Sequence, residues 1–282
     1  MALFITSDKN SSGTISVGSY SINFSVTANQ VSGPFNIPYT EAHLAFNNVT
    51  PPIKTNKGIH VQVDAGKPAV VVFAHIYAGF RSQASLILPV ATLGRKYYAT
   101  SFWQNSTANS KSQFQVIATA PNTQVKYQLR RDGVLDLAEQ TATLPNAGDV
   151  LQIQDDADLT GSVIESVALP GGGCNKIAVF SGSSSLSISS AWCTGTSFDP
   201  LFQQCYPVNT WGKEFGVVPL ANNPSGFHIR VTASEDNTTV NIEGQNVTLN
   251  AGEFYPNTRT APVYAKPFTI SADKPVSVAQ FM

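Results

Sequence analysis

The stretch FQVIATAPNTQVKYQL, residues 114–129, has the pattern of two short β-strands joined by a turn. Apolar side chains alternate with polar ones on both sides of a Pro-Asn turn: Phe114, Val116 and Ala118 before it, and Val125, Tyr127 and Leu129 after it. Successive side chains of a strand point to opposite faces, so this alternation places the apolar residues on one face. The stretch therefore predicts a β-hairpin with one buried face.

The same pattern occurs again in FHIRVTASEDNTTVNI, residues 227–242. Here Phe227, Ile229 and Val231 alternate with His228, Arg230 and Thr232, which predicts a half-buried strand with His228 on its solvent-facing side. A compact hairpin follows in VNIEGQNVTL, residues 240–249, with its turn at Glu-Gly-Gln-Asn. Helical spacing is weak throughout, and VLDLAEQTAT, residues 134–143, is the stretch that best fits a turn or two of helix. The sequence predicts an all-β fold.

Two nearly identical phrases separate these patterns: LPVATLGRKY at residues 88–97 and YPVNTWGKEF at residues 206–215. A building unit is more often duplicated than a catalytic loop, so we expect the phrases to be seams between successive units, with Leu93 and Trp211 filling the interfaces. The prediction is three tandem β-sandwich-like repeats packed end to end. They span residues 1–87, which are diverged and lack a leading connector, 88–205 and 206–282.

Composition restricts the classes of function. The 282 residues carry a formal net charge of −1 and only 12% charged residues, which argues against a nucleic-acid surface or a polybasic membrane patch. No apolar run approaches the roughly 18 residues of a membrane-spanning helix. The start, MALFITSDKNSSG, lacks the charged region and apolar stretch of a secretory signal. We expect the chain to be a fragment of a longer polypeptide, so this start says little about localisation.

Catalytic patterns are not found in the sequence. The four histidines, His43, His60, His75 and His228, lack the spacing of metal ligands, and no GxSxG nucleophile motif occurs. The glycine-rich PGGGCNK, residues 170–176, lacks the ending of a phosphate-binding loop. We expect no enzymatic activity, no catalytic residues and no cofactor.

One acidic run is a weak candidate for a calcium site. In QDDADLTGS, residues 154–162, the carboxylates of Asp155, Asp156 and Asp158 together with backbone carbonyls offer the oxygen ligands that Ca²⁺ prefers. The spacing is not that of an EF-hand, and the alternative is a simple turn before a strand. We expect no metal site.

Cysteines, tryptophans and glycosylation sequons leave alternatives open. Cys193 and Cys205 flank an 11-residue stretch and would form a disulfide in an oxidising compartment, or all three cysteines, with Cys174, are reduced. The tryptophans, Trp103, Trp192 and Trp211, either form a sugar platform or fill gaps between sheets. In a eukaryotic secreted protein, six sequons would be glycosylation candidates: Asn10, Asn23, Asn48, Asn105, Asn237 and Asn246.

Several phrases of the sequence, including the second copy of the duplicated phrase, resemble a known family. The sequence resembles the N-terminal domain of IgGFc-binding protein, found in mucus-associated animal proteins and in large bacterial surface proteins associated with gliding motility. The likeness covers nearly the whole chain, and its more specific phrases are TWGKEF at residues 210–215 and ASEDNTTV at residues 233–240. One departure concerns the cysteines: Phe198 stands where the family has a cysteine, and Cys205 where it has an aliphatic residue. A disulfide like that of the animal members is therefore in doubt, and Cys193 with Cys205 would be a shifted substitute.

The resemblance implies a secreted or cell-surface module of adhesive and mucus matrix proteins. We therefore expect a non-enzymatic extracellular adhesion or matrix-assembly module that recognises glycans or other extracellular proteins, or further copies of itself. The alternatives are a structural spacer or filament subunit, and a carbohydrate-binding module of a secreted polysaccharide-degrading system. Binding of immunoglobulin Fc does not transfer from the vertebrate member.

Overall fold

The computed structural model describes residues 1–44, 53–79, 81–104, 110–169, 173–188, 198–219, 226–258 and 262–281. Within these ranges the chain forms five antiparallel sheets, which confirms the predicted all-β fold. The helical elements described are one turn of α-helix at Tyr39–Ala42 and two 3-10 turns at Val90–Thr92 and Val208–Thr210. None of the described helical elements is long and apolar enough to cross a membrane.

Two sheets form the N-terminal part of the molecule. The first, called the N-terminal aromatic sheet below, has the order β4 (Val31–Asn36), β1 (Ala2–Thr6), β7 (Val71–Ala78) and β8 (Arg81–Ile87). The second has the order β3 (Tyr20–Val26), β2 (Ser11–Val17) and β6 (His60–Val63). Leu3 and Ile5 of the first sheet share a hydrophobic core with Ile15 and Phe24 of the second, so the two sheets pack face to face.

Two further sheets form the central part. One has the order β16 (Asp199–Gln204), β15 (Ile177–Leu186), β10 (Ser112–Ala118), β13 (Asp149–Asp155) and β5 (Ile53–Asn56). The other has the order β12 (Val134–Leu144), β11 (Thr123–Arg131), β14 (Val163–Val167) and β9 (Lys96–Tyr98). Their shared core contains the residues that the alternation in residues 114–129 places on one face: Phe114, Val116, Ala118, Val125, Tyr127 and Leu129.

The C-terminal sheet has the order β20 (Gln245–Leu249), β19 (Thr238–Ile242), β22 (Phe268–Phe281), β18 (His228–Ala233) and β21 (Phe254–Tyr255), and β17 (Gly212–Val217) also pairs with β22. Strand β22 is 14 residues long. Its first half pairs with β17 and β19, and its second half pairs with β18. One long strand therefore connects both ends of this sheet.

One pairing scheme occurs in all three parts. An early strand pairs with the strand after the middle turn and with the last apolar strand: β1 with β4 and β7, β10 with β13 and β15, and β18 with β21 and β22. Strand β5, from the predicted first repeat, pairs with β13 of the predicted second. Strand pairings do not define where one repeat ends and the next begins. The division into repeats at residues 1–87, 88–205 and 206–282 therefore stays a prediction.

The duplicated phrase folds in the same way at both positions. In each copy a proline precedes a 3-10 turn, and the backbone angles of Pro89 and Pro207 agree within a degree. The Thr92 hydroxyl donates a hydrogen bond to Pro89 O at 2.9 Å, and the Thr210 hydroxyl donates one to Pro207 O at 2.8 Å. The two copies also touch each other, because a Cβ added to Gly94 would lie 2.4 Å from the Cβ of Pro207.

Residues 134–143, the stretch that best fits a turn or two of helix, lie between strand patterns and belong to β12, which pairs with β11 over most of its length. One local expectation is wrong. The β19–β20 hairpin has a two-residue turn at Glu243 and Gly244, both with positive φ, rather than the four-residue turn expected. A turn with two positive φ angles matches the twist of the flanking strands.

The prediction that one face of β18 is exposed to solvent is also wrong. All six of its residues are buried, including His228, Arg230 and Thr232. Alternation shows which residues face the core of their own sheet, but the opposite face of β18 packs against the central part. His228 accordingly lies beside Phe102, with 5.6 Å between ring centroids, and its Nδ1 is 2.9 Å from Pro262 O.

Candidate functional site

A buried ion pair joins the central part to the C-terminal sheet. Arg230 of β18 is 1% exposed, and its Nη1 lies 2.5 Å from Oδ2 of Asp158, which is fully buried in the central part. The same nitrogen donates to Ser101 O at 2.8 Å and to the hydroxyl of Thr160. A buried charge is tolerated only when it is paired and hydrogen-bonded, so these contacts fix the C-terminal sheet against the central part.

Aromatic rings enclose this ion pair. The guanidinium carbon of Arg230 lies 4.7 Å from the ring centroid of Phe102 and 4.6 Å from that of Phe254. Burial lowers the pKa of Arg230, and the neighbouring Asp158 carboxylate opposes this by favouring the charged form. The guanidinium therefore acts as a charged connector between the two parts.

A close backbone contact lies beside the ion pair. Gly161 of the central part and Gly252 of the C-terminal sheet approach so closely that a Cβ on Gly161 would lie 2.0 Å from Gly252 O. Arg130 crosses the same boundary, donating from Nη1 to Gly133 O at 2.9 Å and from Nη2 to Ala251 O at 3.3 Å. Together with the ion pair, these contacts leave little room for the two parts to move independently.

An open cleft of about 680 Å³ lies at the surface of this junction. It is called the junction cleft below, and its lining consists of Arg130, Gly133, Val134, Leu135, Asp236, Asn237, Asn250, Ala251 and Glu253. One wall is therefore the tip of the β11–β12 hairpin, and the other is formed by two loops of the C-terminal sheet. A ligand in the cleft would contact both parts at once.

The two walls of the junction cleft differ in chemistry. Val134 and Leu135 are exposed apolar residues on the hairpin side. On the opposite side, Asp236 accepts a hydrogen bond from Ala251 N at 3.0 Å and Glu253 accepts one from Asn250 N at 2.8 Å. These bonds hold both carboxylates in place at an apolar edge. Arg130 also lines the cleft, so the lining has two carboxylates against one guanidinium and is net negative. The arrangement suits a ligand with a positive charge next to an apolar group.

A family comparison covers this junction. The family model described as IgGFc binding protein matches residues 83–282. The chain belongs to this family. Comparisons with curated proteins and with solved structures gave no match. The family is one of extracellular binding domains, which agrees with the expectation of an extracellular binding module.

The match to the IgGFc-binding protein family includes both copies of the duplicated phrase and every residue of the junction cleft. It includes Arg230 and Asp158 as well. The N-terminal aromatic sheet lies before the matched region except for β8, most of which is inside it. The matched region thus contains the junction as a whole.

Each of the three calcium candidates lies beside a different basic residue. Asp155 Oδ2 lies 2.6 Å from Arg131 Nε, Asp156 pairs with Lys111, and Asp158 pairs with Arg230. The Asp158 Oδ1 accepts from Thr160 N at 3.0 Å, as in a turn. Among the described residues, no group of three or more histidine, cysteine or acidic side chains is placed to hold a metal ion. This geometry gives the calcium hypothesis no support.

Other candidate residues are dispersed. Cys205 is a buried thiol in the central core, 3.0 Å from the Ser181 hydroxyl, while Cys193 lies outside the described residues, so the disulfide stays a prediction. Trp103 is buried near Arg230, Trp211 packs beside Tyr98, and Trp192 is outside the described residues. Four of the six sequon asparagines are exposed: Asn10, Asn23, Asn237 and Asn246. The other two, Asn48 and Asn105, lie outside the described residues.

Two ionisable groups buried in the central core, Cys205 and Tyr97, should make the chain less stable at high pH. Burial raises the pKa of the Cys205 thiol to about 11 and that of Tyr97 to about 12. In the unfolded chain these groups ionise near their ordinary values of about 8.5 and 10. The stabilisation is therefore fully present below pH about 8.5 and is lost as the pH rises through about 11 to 12.

We expect the urea midpoint to fall between pH 8 and pH 10.5, and to fall less steeply in the Cys205→Ala variant, which keeps only the tyrosine contribution. If the urea midpoint fell equally steeply with pH in both proteins, the proposed role of the thiol would be contradicted.

The sequence does not reveal that Arg230 and Arg130 connect the central part to the C-terminal sheet, nor that a cleft lies at this junction. Arg230 and Asp158 are 72 positions apart, and alternation places Arg230 on a strand face that is exposed in an isolated sheet. The one signal was an arginine in the middle of a strand in a chain with few charges.

Proposed function

We propose that this chain is a non-enzymatic extracellular adhesion or matrix-assembly module that recognises its partners through a rigid β scaffold. Membership of the IgGFc-binding protein family supports the general statement that it is a binding module. We further propose that the junction cleft is a site for a protein partner. The observation that carries this step is the pairing of an apolar wall with two fixed carboxylates at a rigid junction.

The chemistry of the cleft defines the partner. Asp236 and Glu253 favour a lysine or arginine side chain, and Val134 and Leu135 favour an adjacent apolar side chain. Because the two parts are connected by Arg230 and by the glycine contact, the cleft is formed before a ligand arrives. A preformed site loses less conformational entropy on binding than a flexible one. The proposed ligand is thus a basic, partly apolar segment of an extracellular protein.

The test uses the whole chain on an array of extracellular matrix proteins, mucins, immunoglobulin and glycans. A double variant, Asp236→Asn with Glu253→Gln, removes both charges and keeps the acceptor atoms that hold the loops. We expect it to bind the protein hits about tenfold more weakly, mainly through slower association, and with less dependence on salt.

Glu235→Gln is the matched control. Glu235 is an exposed acid next to Asp236 but does not line the cleft. Equal losses in the control and the double variant would show a general charge effect. Protein hits that keep the affinity and salt dependence of the unmodified chain in the double variant would rule out the cleft as their site.

A further inference from the structure

A row of aromatic side chains lies on the outer face of the N-terminal aromatic sheet. Phe73, His75 and Tyr77 of β7 alternate with Val72 and Ala74, which enter the hydrophobic core. Phe73 is 42% exposed and Tyr77 is 52% exposed, so this face is open to solvent. An exposed, continuous aromatic face is a feature of binding surfaces.

The row has a defined shape. Phe4 of β1 pairs directly with Phe73, and the His75 ring centroid lies 6.2 Å from that of Phe4 and 5.2 Å from that of Tyr77. On the neighbouring strands His75 is flanked by alanines: Ala84 on β8 is exposed, whereas Ala2 on β1 is buried. The small Ala84 beside His75, with large rings on either side, leaves a shallow trough on the β8 side of the row. From Phe73 to Tyr77 it is about 13 Å long at the usual rise of a strand.

The trough is nearly free of formal charge. Strands β1, β4 and β7 contain no Asp, Glu, Lys or Arg, and β8 has only Arg81, at the end of the β7–β8 hairpin. Polar groups are present at one end: the Tyr77 hydroxyl donates to Asn36 Oδ1 at 3.2 Å, and Ser82 pairs with Tyr77 across the strands. The charged groups Arg81 and Asp199 lie at the hairpin end, where Asp199 Oδ1 accepts from Ser82 N at 3.0 Å. A charged ligand over Phe73 and His75, in the rest of the trough, would lose hydration without gaining a charged partner from these strands. The complementary ligand is uncharged, with apolar faces and hydroxyl groups.

We propose that this trough binds an uncharged saccharide. The C–H face of a sugar ring would stack on Phe73 and Tyr77, and its hydroxyls would reach the imidazole of His75 and the Tyr77 and Asn36 groups. The trough-forming residues of β1 and β7 precede the region matched by the family model. The inference deepens the proposed function by naming a second surface and its ligand class, and it rests on the chain being a binding module.

The experiment titrates the whole chain with neutral oligosaccharides of glucose, galactose and N-acetylhexosamine, and with sialylated and sulfated oligosaccharides as charged probes. We expect saturable binding of at least one neutral probe, and about a tenfold or greater loss of affinity in Phe73→Ala and in Tyr77→Ala. Tyr77→Phe keeps the ring and should retain most of the affinity. Tyr206→Ala is the matched control, because Tyr206 is also 52% exposed and belongs to the second copy of the duplicated phrase rather than to the trough.

Several outcomes would overturn the proposal: no neutral probe bound, binding of charged probes alone, or equal affinity in Tyr77→Ala and Tyr206→Ala. Dimerisation that Tyr77→Ala abolishes would assign the face to a second copy of the chain and also overturn it. The Asp236→Asn, Glu253→Gln variant should bind saccharide normally, and the trough variants should bind protein hits normally. Failure of the trough and failure of the junction cleft are therefore distinguishable.

Discussion

Replacing Arg230 by methionine will lower the free energy of unfolding by about 3–5 kcal/mol, because the Asp158 carboxylate is then buried without its partner. Methionine preserves much of the side-chain volume between Phe102 and Phe254. The effect is therefore one of charge and hydrogen bonding more than of packing. Urea denaturation followed by far-UV circular dichroism measures it, and the melting temperature should fall by about 10 °C.

A second variant separates the ion pair from general damage to the core. In Arg230→Met with Asp158→Asn, the unpaired charge is removed while the amide oxygen can still accept from Thr160 N. We expect this double variant to recover at least half of the stability lost in the single variant. A single variant that loses less than about 1 kcal/mol, against the 3–5 kcal/mol expected for a broken buried pair, would show that the pair does not fix the junction.

Replacing Gly161 by alanine will also destabilise the chain, by about 2–5 kcal/mol when backbone strain and overpacking are added. Gly161 has φ +83° and its added Cβ would lie 2.0 Å from the backbone oxygen of Gly252. The clash is with backbone, so it can be relieved only by moving the central part away from the C-terminal sheet. Denaturant titration gives the size of the effect, and proteolysis between the two parts should become faster.

Gly66→Ala is the matched control for backbone strain. Gly66 has φ +78° and no atom within 4 Å of an added Cβ. Alanine there should cost only about 1–2 kcal/mol, the strain of a left-handed conformation. The excess loss in Gly161→Ala measures the close approach of the two parts. Equal losses at both positions would contradict a tightly packed junction.

Alternation predicts the internal packing of each sheet well. Phe114, Val116, Val125 and Tyr127 all lie in the central core, as their spacing indicates. The duplicated phrase also predicts a duplicated local structure, since Pro89 and Pro207 precede equivalent turns. Such features depend on residues close in sequence, where strand geometry and turn chemistry apply directly.

Contacts between sheets could not be predicted in this way. His228 and Arg230 lie on the polar side of an alternating strand, yet both are buried by the central part. By sequence alone Asp158 is a candidate calcium ligand, but a carboxylate in a turn has the same sequence pattern whether its partner is a metal or, as here, an arginine. The partner of a buried charge is set by tertiary packing, which one sequence does not reveal.

The aromatic trough was partly accessible to sequence reasoning. Phe73, His75 and Tyr77 alternate with Val72 and Ala74, which predicts that both faces of β7 are apolar. Two apolar faces normally indicate a strand covered on both sides. The exposure of Phe73 and Tyr77 could be known only from the position of β7 in the fold.

Whether this chain is a binding module is tested by measuring binding of the unmodified chain to the array of extracellular proteins, mucins, immunoglobulin and glycans, with and without calcium. We expect selective, saturable binding to at least one partner, unchanged when calcium is removed, because Asp155, Asp156 and Asp158 lie beside basic residues. No binding anywhere on the array, together with ordered filaments of the chain alone in the electron microscope, would contradict the claim and favour a structural subunit.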